Sequence, residues 1–288
     1  MRRAFKIYPA FYFFLLFWIL IALRAGLKVP WDEVLNEALF LQNFRSGWRI
    51  HTWSLGVEEQ FYLAFTGLAF WLCRGSCSEP DPFSRLPLLG LLLAGLLFAL
   101  RLGLGWDSGL MRVDGLTSGV LLSYVFHFHA QAFRCWVSRL RWVCLATIPV
   151  GLALPFAVER GHWTNLMIAL GFPGIYASFA ALLALLVCLK PLSTGWLARA
   201  SQPFALVGAW SYSIYLWHWD VMVLTDRVVG QRAPWLLQSA AYAAGALFVG
   251  MATAQLIERP ALLLRDRLLP SRMANALLSA PPAGPARA

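Results

Sequence analysis

Apolar residues run along this chain in long blocks, with short polar connections between them, rather than alternating with polar residues. The first block covers residues 8–25, and others follow at about 56–73, 86–104, 109–127, 142–158, 165–189, 204–225 and 235–257. Each is close to the ~20 residues that cross about 30 Å of hydrocarbon at 1.5 Å per residue. The pattern predicts an all-α fold, a polytopic integral-membrane helical bundle of about eight transmembrane helices. The two halves show no internal repeat and no paired Gly/Pro-interrupted segments, which counts against an inverted-repeat transporter.

The connections are as informative as the blocks. Arg2, Arg3 and Lys6 precede the first block, which outwardly resembles a secretory signal. The block is long for a signal core, carries Pro9 and many aromatics, and lacks a small-residue cleavage site, so a retained span is expected. The longest connection, residues 27–52, mixes Trp31, Asp32, Glu33, Leu35, Leu39 and Phe40 in a short amphipathic pattern. Such a segment lies on the interface or folds over the mouth of the bundle. Residues 1–269 are read as one transmembrane domain, and the Ala/Pro/Ser-rich residues 270–288 as a disordered cytoplasmic tail.

Composition sharpens this picture. Hydrophobic residues make up 59% of the chain and charged residues 13%, too few to clothe a soluble fold. The net charge of +10 raises the possibility of nucleic acid. However, the basic residues sit in short connections and form no stripe interleaved with aromatics, so membrane lipid rather than nucleic acid is the expected partner. With the N-terminus in the cytoplasm, Arg74, Arg85, Arg134, Arg139, Arg141, Lys190, Arg199, Arg259, Arg265 and Arg267 all fall on the inner side, as the positive-inside rule requires. Cys73, Cys77, Cys135, Cys144 and Cys188 form no CxxC pair and no zinc-type spacing with histidine. They are read as reduced packing residues, and no metal site is expected.

Ionisable groups inside spans cost on the order of 3 kcal/mol each on insertion scales and therefore mark candidate sites. In HTWSLGVEEQFYL, Ser54, Glu58 and Tyr62 share a helix face at i, i+4 and i+8. A carboxylate in the first turn of this helix is also favoured by the macrodipole, which is a purely structural alternative. In MRVDGLTSGVLLSY, Arg112 and Asp114 lie two residues apart and cannot face each other, so each is expected to meet a partner on another span, Glu58 being one for Arg112. In SYSIYLWHWDVMVL, Ser211, Tyr215, His218 and Met222 form a stripe with Asp220 near its end. A lone histidine on an apolar helix is more often a packing residue, and the hydroxyls beside His218 bring a polar site level with that reading.

Taken together these segments resemble the membrane-bound acyltransferase-3 family, enzymes that O-acylate sugars of surface polysaccharides and glycosides. WSLGVEEQFYL at 53–63, RVDGLTSGVLLSY at 112–124, SYSIYLWHW at 211–219 and IERP at 257–260 are similar to family segments in the same order. RRAFKIYP at 2–9 resembles the basic entry to an internal span, with Lys6 where many members carry Arg. The resemblance implies a bacterial inner-membrane enzyme with acetyl-CoA or another acyl-CoA as donor substrate, no bound cofactor, and a glycan or glycolipid acceptor. Family members usually open with two further spans, the first bearing the histidine held to be catalytic. No residue of this sequence inherits that role, and His218 belongs to a different segment. Asp220, where many members carry proline, is a smaller departure.

Acyl transfer requires a base for the acceptor's proton and preorganised donors for the developing oxyanion. The resemblance places Glu58, Arg112 and His218 in supporting catalytic roles, and Trp53, Ser54, Tyr62, Asp114, Ser211 and Tyr215 at the substrate. Arg3 and Lys6 are expected at the donor's phosphates, although the same residues serve as ordinary positive-inside anchors. The alternatives are an N-terminally truncated, non-catalytic member or partner subunit, a start upstream of Met1, and, further off, a transporter.

Overall fold

The computed structural model describes residues 2–75, 81–104, 112–159, 165–189, 195–230 and 233–269. Cys77, Lys190 and the expected tail at 270–288 lie outside them. The described residues contain helices and turns and no strand, and all eight apolar blocks form helices. In chain order the helices are α1 (Ala4–Arg24), α2 (Trp31–Ala38), α3 (Trp53–Gly75), α4 (Leu86–Leu104), α5 (Val113–Phe128), α6 (Ala130–Arg139), α7 (Arg141–Glu159), α8 (Asn165–Cys188), α9 (Trp196–Val228), α10 (Trp235–Thr253) and α11 (Arg259–Leu268). A 3-10 turn, Ile50–Thr52, leads into α3, and a π-turn, Ala254–Glu258, joins α10 to α11.

Four segments of described helix are long and apolar enough to cross a membrane unaided: Ala4–Arg24, Leu86–Gly103, Ala169–Cys188 and Trp235–Leu268. Ala130–Arg139 and Arg141–Leu154, bent by 74°, form a fifth if they act as one broken span. The expected count of about eight included three helices outside this set. Of these, α5 has only 16 residues, α3 carries Glu58 and Glu59, and α9 carries Arg199, His218, Asp220, Asp226 and Arg227. Each trades hydropathy for the polar groups that the sequence marks as candidates. The molecule is an all-α helical membrane protein.

The chain divides into two compact units, Met1–Val34 with Leu192–Ala288, and Leu35–Pro191. In the first, α1 turns Ile7, Ala10, Phe11, Phe14 and Leu15 inward, the i, i+3, i+4, i+7, i+8 pattern of a buried helix face. Phe14 and Phe17 both meet the Trp217 ring of α9 edge-on, with centroids 5.0 Å apart. The Tyr212 hydroxyl donates to the Ile7 carbonyl at 3.0 Å. Gly250 lets α10 approach α9 closely, because a Cβ there would lie 2.8 Å from the Ile214 Cα and 3.0 Å from its nitrogen.

In the second unit, α7 and α8 pair closely at Gly151, whose missing Cβ leaves room for the Gly174 carbonyl and the Ser178 hydroxyl. Ser178 returns a hydrogen bond to the Thr147 carbonyl at 2.9 Å. The segment after α5, read as a loop from sequence, is the amphipathic helix α6, with Phe133 and Val137 buried. At the far end of α5 the Tyr124 hydroxyl donates to Asp81 at 2.5 Å, which ties the turn before α4 to α5. Cys73, Cys135, Cys144 and Cys188 are all free thiols.

Candidate functional site

The start of α3 is built by the connection that precedes it. α2 forms where the amphipathic pattern predicts it, with Asp32 and Glu33 in its first turn, where the macrodipole favours acids. Its last turn buries Glu37 completely. The Glu37 carboxylate accepts the Thr52 hydroxyl at 2.5 Å and the Arg49 backbone N–H at 3.1 Å. Burial pushes the Arg49 guanidinium below its ordinary pKa, and the adjacent Glu37 charge opposes that shift. Gln42 donates to the Thr52 carbonyl at 2.9 Å. Asn43 and Gln60 exchange amide hydrogen bonds of 2.8 Å, and Gln60 also donates to the Phe40 carbonyl at 2.7 Å. Phe40 itself holds φ of 57°, a left-handed conformation that a bulky residue adopts only where its surroundings impose it. The connection is therefore a polar clasp fastened to the first two turns of α3.

That clasp fixes the helix turns carrying Trp53, Ser54, Glu58 and Tyr62. Trp53, Ser54, Glu58 and Tyr62 are half-buried, whereas Glu59 is buried. Arg112, just before α5, stacks its guanidinium between two rings, 4.8 Å from the centroid of Trp53 on α3 and 4.6 Å from that of Phe172 on α8. Cation–π contacts of this kind strengthen as the pair is desolvated. Asp114 meets Arg101 of α4, Nη1 to Oδ2 at 2.6 Å. Arg101 is fully buried and lies 5.5 Å from the same Phe172 ring. The expectation that Arg112 and Asp114 each reach a different helix thus describes the structure.

Arg101, Glu37 and Phe172 are the residues that sequence reasoning passed over. Arg101 left a signal, as the only charged residue in the apolar run 86–104. Glu37 left a weaker one, since it falls among the polar positions of an amphipathic helix. Phe172 left none.

The remaining candidates lie in the other unit. On α9 the packed face is Ser213, Leu216, Trp217, Val221 and Thr225, a different side of the helix from the expected stripe. Ser211 is exposed, while Tyr215 and His218 are half-buried. His218 Nδ1 bonds back to the Tyr215 carbonyl within the helix. Arg3 is exposed at the start of α1 and Lys6 half-buried in its first turn. Lys6 acts electrostatically on buried Glu258, which lies beside buried Ser213. Arg2 pairs with Asp266 at 2.8 Å. Among the described residues no group of three His, Cys, Asp or Glu side chains is placed to hold a metal.

The acyltransferase-domain model of the acyltransferase-3 family matches residues 1–258. The chain belongs to that family. The acyltransferase-3 chain is 27% identical over 186 residues to the O-acetyltransferase OatA of Staphylococcus aureus (strain NCTC 8325), covering 61% of its own length and 30% of that protein. It is 30% identical over 222 residues to the exopolysaccharide production protein ExoZ of Rhizobium meliloti (strain 1021), covering 76% of its own length and 63% of that protein. The chain therefore spans under two thirds of either relative. No solved structure matches it.

Proposed function

We propose that the protein is a membrane O-acyltransferase that moves an acyl group, in the simplest case acetyl, from a CoA-type donor to a sugar hydroxyl of a surface glycan or glycolipid. The observation that carries the reading is the position of Arg112, held against Trp53 at the end of α3 that bears Glu58. OatA is named an O-acetyltransferase and ExoZ an exopolysaccharide production protein, which supports an acetyl group and a polysaccharide-type acceptor.

In the proposed reaction the acceptor oxygen attacks the thioester carbonyl, the carbon–sulfur bond breaks, and CoA leaves as its thiol. Glu58 orients the acceptor hydroxyl and its departing proton, and Arg112 offers N–H donors to the oxyanion. Asp114 and Arg101 keep the start of α5 in register. Trp53, Ser54 and Tyr62 line the acceptor side of the site at the start of α3. Arg3 and Lys6 meet the donor phosphates at the cytoplasmic face of a bacterial inner membrane, with the N-terminus inside.

The test is acetyl transfer from labelled acetyl-CoA to surface glycan by the intact protein in proteoliposomes. Glu58→Gln is expected to lower kcat by about 100-fold or more, the scale of a lost acid–base or orienting group. Unchanged transfer by a correctly inserted Glu58→Gln protein would remove Glu58 from the mechanism. An absence of transfer by the wild type from any acyl donor would favour a binding or partner role.

A further inference from the structure

The clasp has an outer side as well as an inner one, and α2 divides into three sectors around its axis. At about 100° per residue, Val34 and Glu37 share the inward side, and both are buried. Asp32, Glu33 and Asn36 share a second side, on which Asp32 is exposed and the other two are half-buried. Trp31, Leu35 and Leu39 share the third. The Leu39 N–H still bonds to the Leu35 carbonyl at 3.0 Å, so helical spacing carries through to Leu39. These three large apolar side chains are 60%, 57% and 58% exposed.

A helix on the surface of a soluble protein has two sectors, apolar inward and polar outward. On α2 a polar and an apolar sector both face outward, while the inward one carries a buried carboxylate. Two unlike surroundings therefore meet along this helix, one aqueous and one apolar. The boundary of a bilayer supplies both, and tryptophan is enriched there. The chain leads to α2 from a lipid-facing surface: Leu16, Leu20 and Leu23 are exposed on α1, which is long and apolar enough to cross a membrane, and Leu27 continues the exposed apolar series. A second copy of the chain fits less well. Three side chains on a helix of eight residues fall well short of the ~20–30 residues a side of a stable protein interface.

We propose that α2 is an in-plane membrane helix, with Trp31, Leu35 and Leu39 seated at the acyl-chain boundary of a phospholipid leaflet and Asp32 and Asn36 turned to the headgroup water. α2 carries Asp32, Glu33 and Glu37 and no basic residue, so buried apolar area and not attraction to anionic headgroups supplies the affinity. Because the clasp is fastened to the first turns of α3, the seat holds Trp53 and Glu58 at headgroup level. It does so whether or not the chain transfers acyl groups.

Two measurements test it, both on the full chain in phosphatidylethanolamine–phosphatidylglycerol vesicles. In the first, wild-type protein is photolabelled by a phospholipid bearing an aryl-diazirine near the glycerol end of one acyl chain, and the labelled residues are mapped by mass spectrometry. Label is expected on Trp31, Leu35 and Leu39 and not on Asp32 or Asn36, with Leu23 of α1 as the lipid-facing reference. An unlabelled α2 beside a labelled Leu23, or label spread equally over both outward sides of α2, would overturn the proposal. Loss of α2 label at a raised protein-to-lipid ratio, with Leu23 still labelled, would also overturn it and make the stripe a contact between copies.

The second uses the double variant Leu35→Asp with Leu39→Asp. Its unfolding midpoint in detergent is expected to match the wild type, because neither side chain packs on the clasp. In vesicles the α2 label is expected to be lost while Leu23 keeps its own, and proteolysis between residues 38 and 52 to quicken about fivefold as the clasp loses its seat. Retained α2 label, or cleavage at the wild-type rate, would overturn the proposal. A lowered midpoint in detergent would do the same, by showing that the stripe packs on protein.

Discussion

Arg101 of α4 and Asp114 of α5 meet at 2.6 Å, with the arginine side chain fully buried and the aspartate nearly so. Two charges withdrawn from solvent at that separation stabilise each other only as a pair, because either one alone keeps its desolvation cost and loses its compensation. Arg101→Met and Asp114→Leu are each expected to destabilise the protein by about 3–5 kcal/mol, whereas the double variant recovers most of that loss. Unfolding of the four proteins in one detergent measures the coupling. Additive losses would show that the pair contributes nothing as a pair.

Arg112 differs from Arg101 in what it touches. Its planar guanidinium fits between the Trp53 and Phe172 rings, a placement an ammonium on a flexible stem does not reproduce. Arg112→Lys is therefore expected to behave almost as Arg112→Ala, with kcat/KM for acyl transfer down at least about tenfold, from ~0.5–2 kcal/mol per lost stacking contact plus the lost N–H donors. Trp53→Leu should reproduce part of the same loss. Full activity in Arg112→Lys would show that charge alone is what the site uses.

The clasp makes a separate prediction. Glu37 accepts from Thr52 and from the Arg49 backbone inside a fully buried setting; Glu37→Ala leaves the Arg49 N–H without its acceptor at a cost of about 1–3 kcal/mol, while the Thr52 hydroxyl keeps the Arg49 carbonyl at 2.8 Å. Glu37→Gln keeps an acceptor oxygen and should retain most of the stability. Limited proteolysis reads the difference, with faster cleavage between residues 38 and 52 expected in Glu37→Ala and near wild-type rates in Glu37→Gln. Equal resistance of all three proteins would show that the clasp does not depend on this carboxylate.

These relationships also mark how far the sequence was legible. Apolar block length predicted the helices at all eight places, because crossing hydrocarbon imposes a length that needs no tertiary information. The lone polar positions were legible for the same reason, and Asp114 was correctly expected to look for a partner on another helix. Which face of an apolar helix packs was not legible. Nearly every position of such a helix is hydrophobic, so the periodicity that reveals the buried side of a soluble helix is weak. On α9 the hydroxyl-bearing stripe of Ser211 and Tyr215 drew attention, while the structure buries Ser213, two residues from each and so on the opposite side of the helix. The clasp around Glu37 was hidden differently, since its hydrogen bonds join residues 10 to 20 positions apart through an irregular connection that no periodic pattern encodes.

Gly250 offers the last prediction, drawn from the unit that holds α9 and α10. A Cβ at this position would lie 2.8 Å and 3.0 Å from backbone atoms of Ile214, whereas at Gly208 on α9 it would meet nothing within 4 Å. Backbone in the middle of a packed helix has no rotamer by which to move aside, so a larger residue at Gly250 has to push the two helices apart. Gly250→Val is expected to destabilise the protein by about 1–3 kcal/mol. Gly208→Val should have a much smaller effect, limited to the weak preference of a β-branched residue against helix. Thermal aggregation of the two variants in the same detergent compares them, and equal midpoints would show that α9 and α10 do not depend on close contact at this glycine.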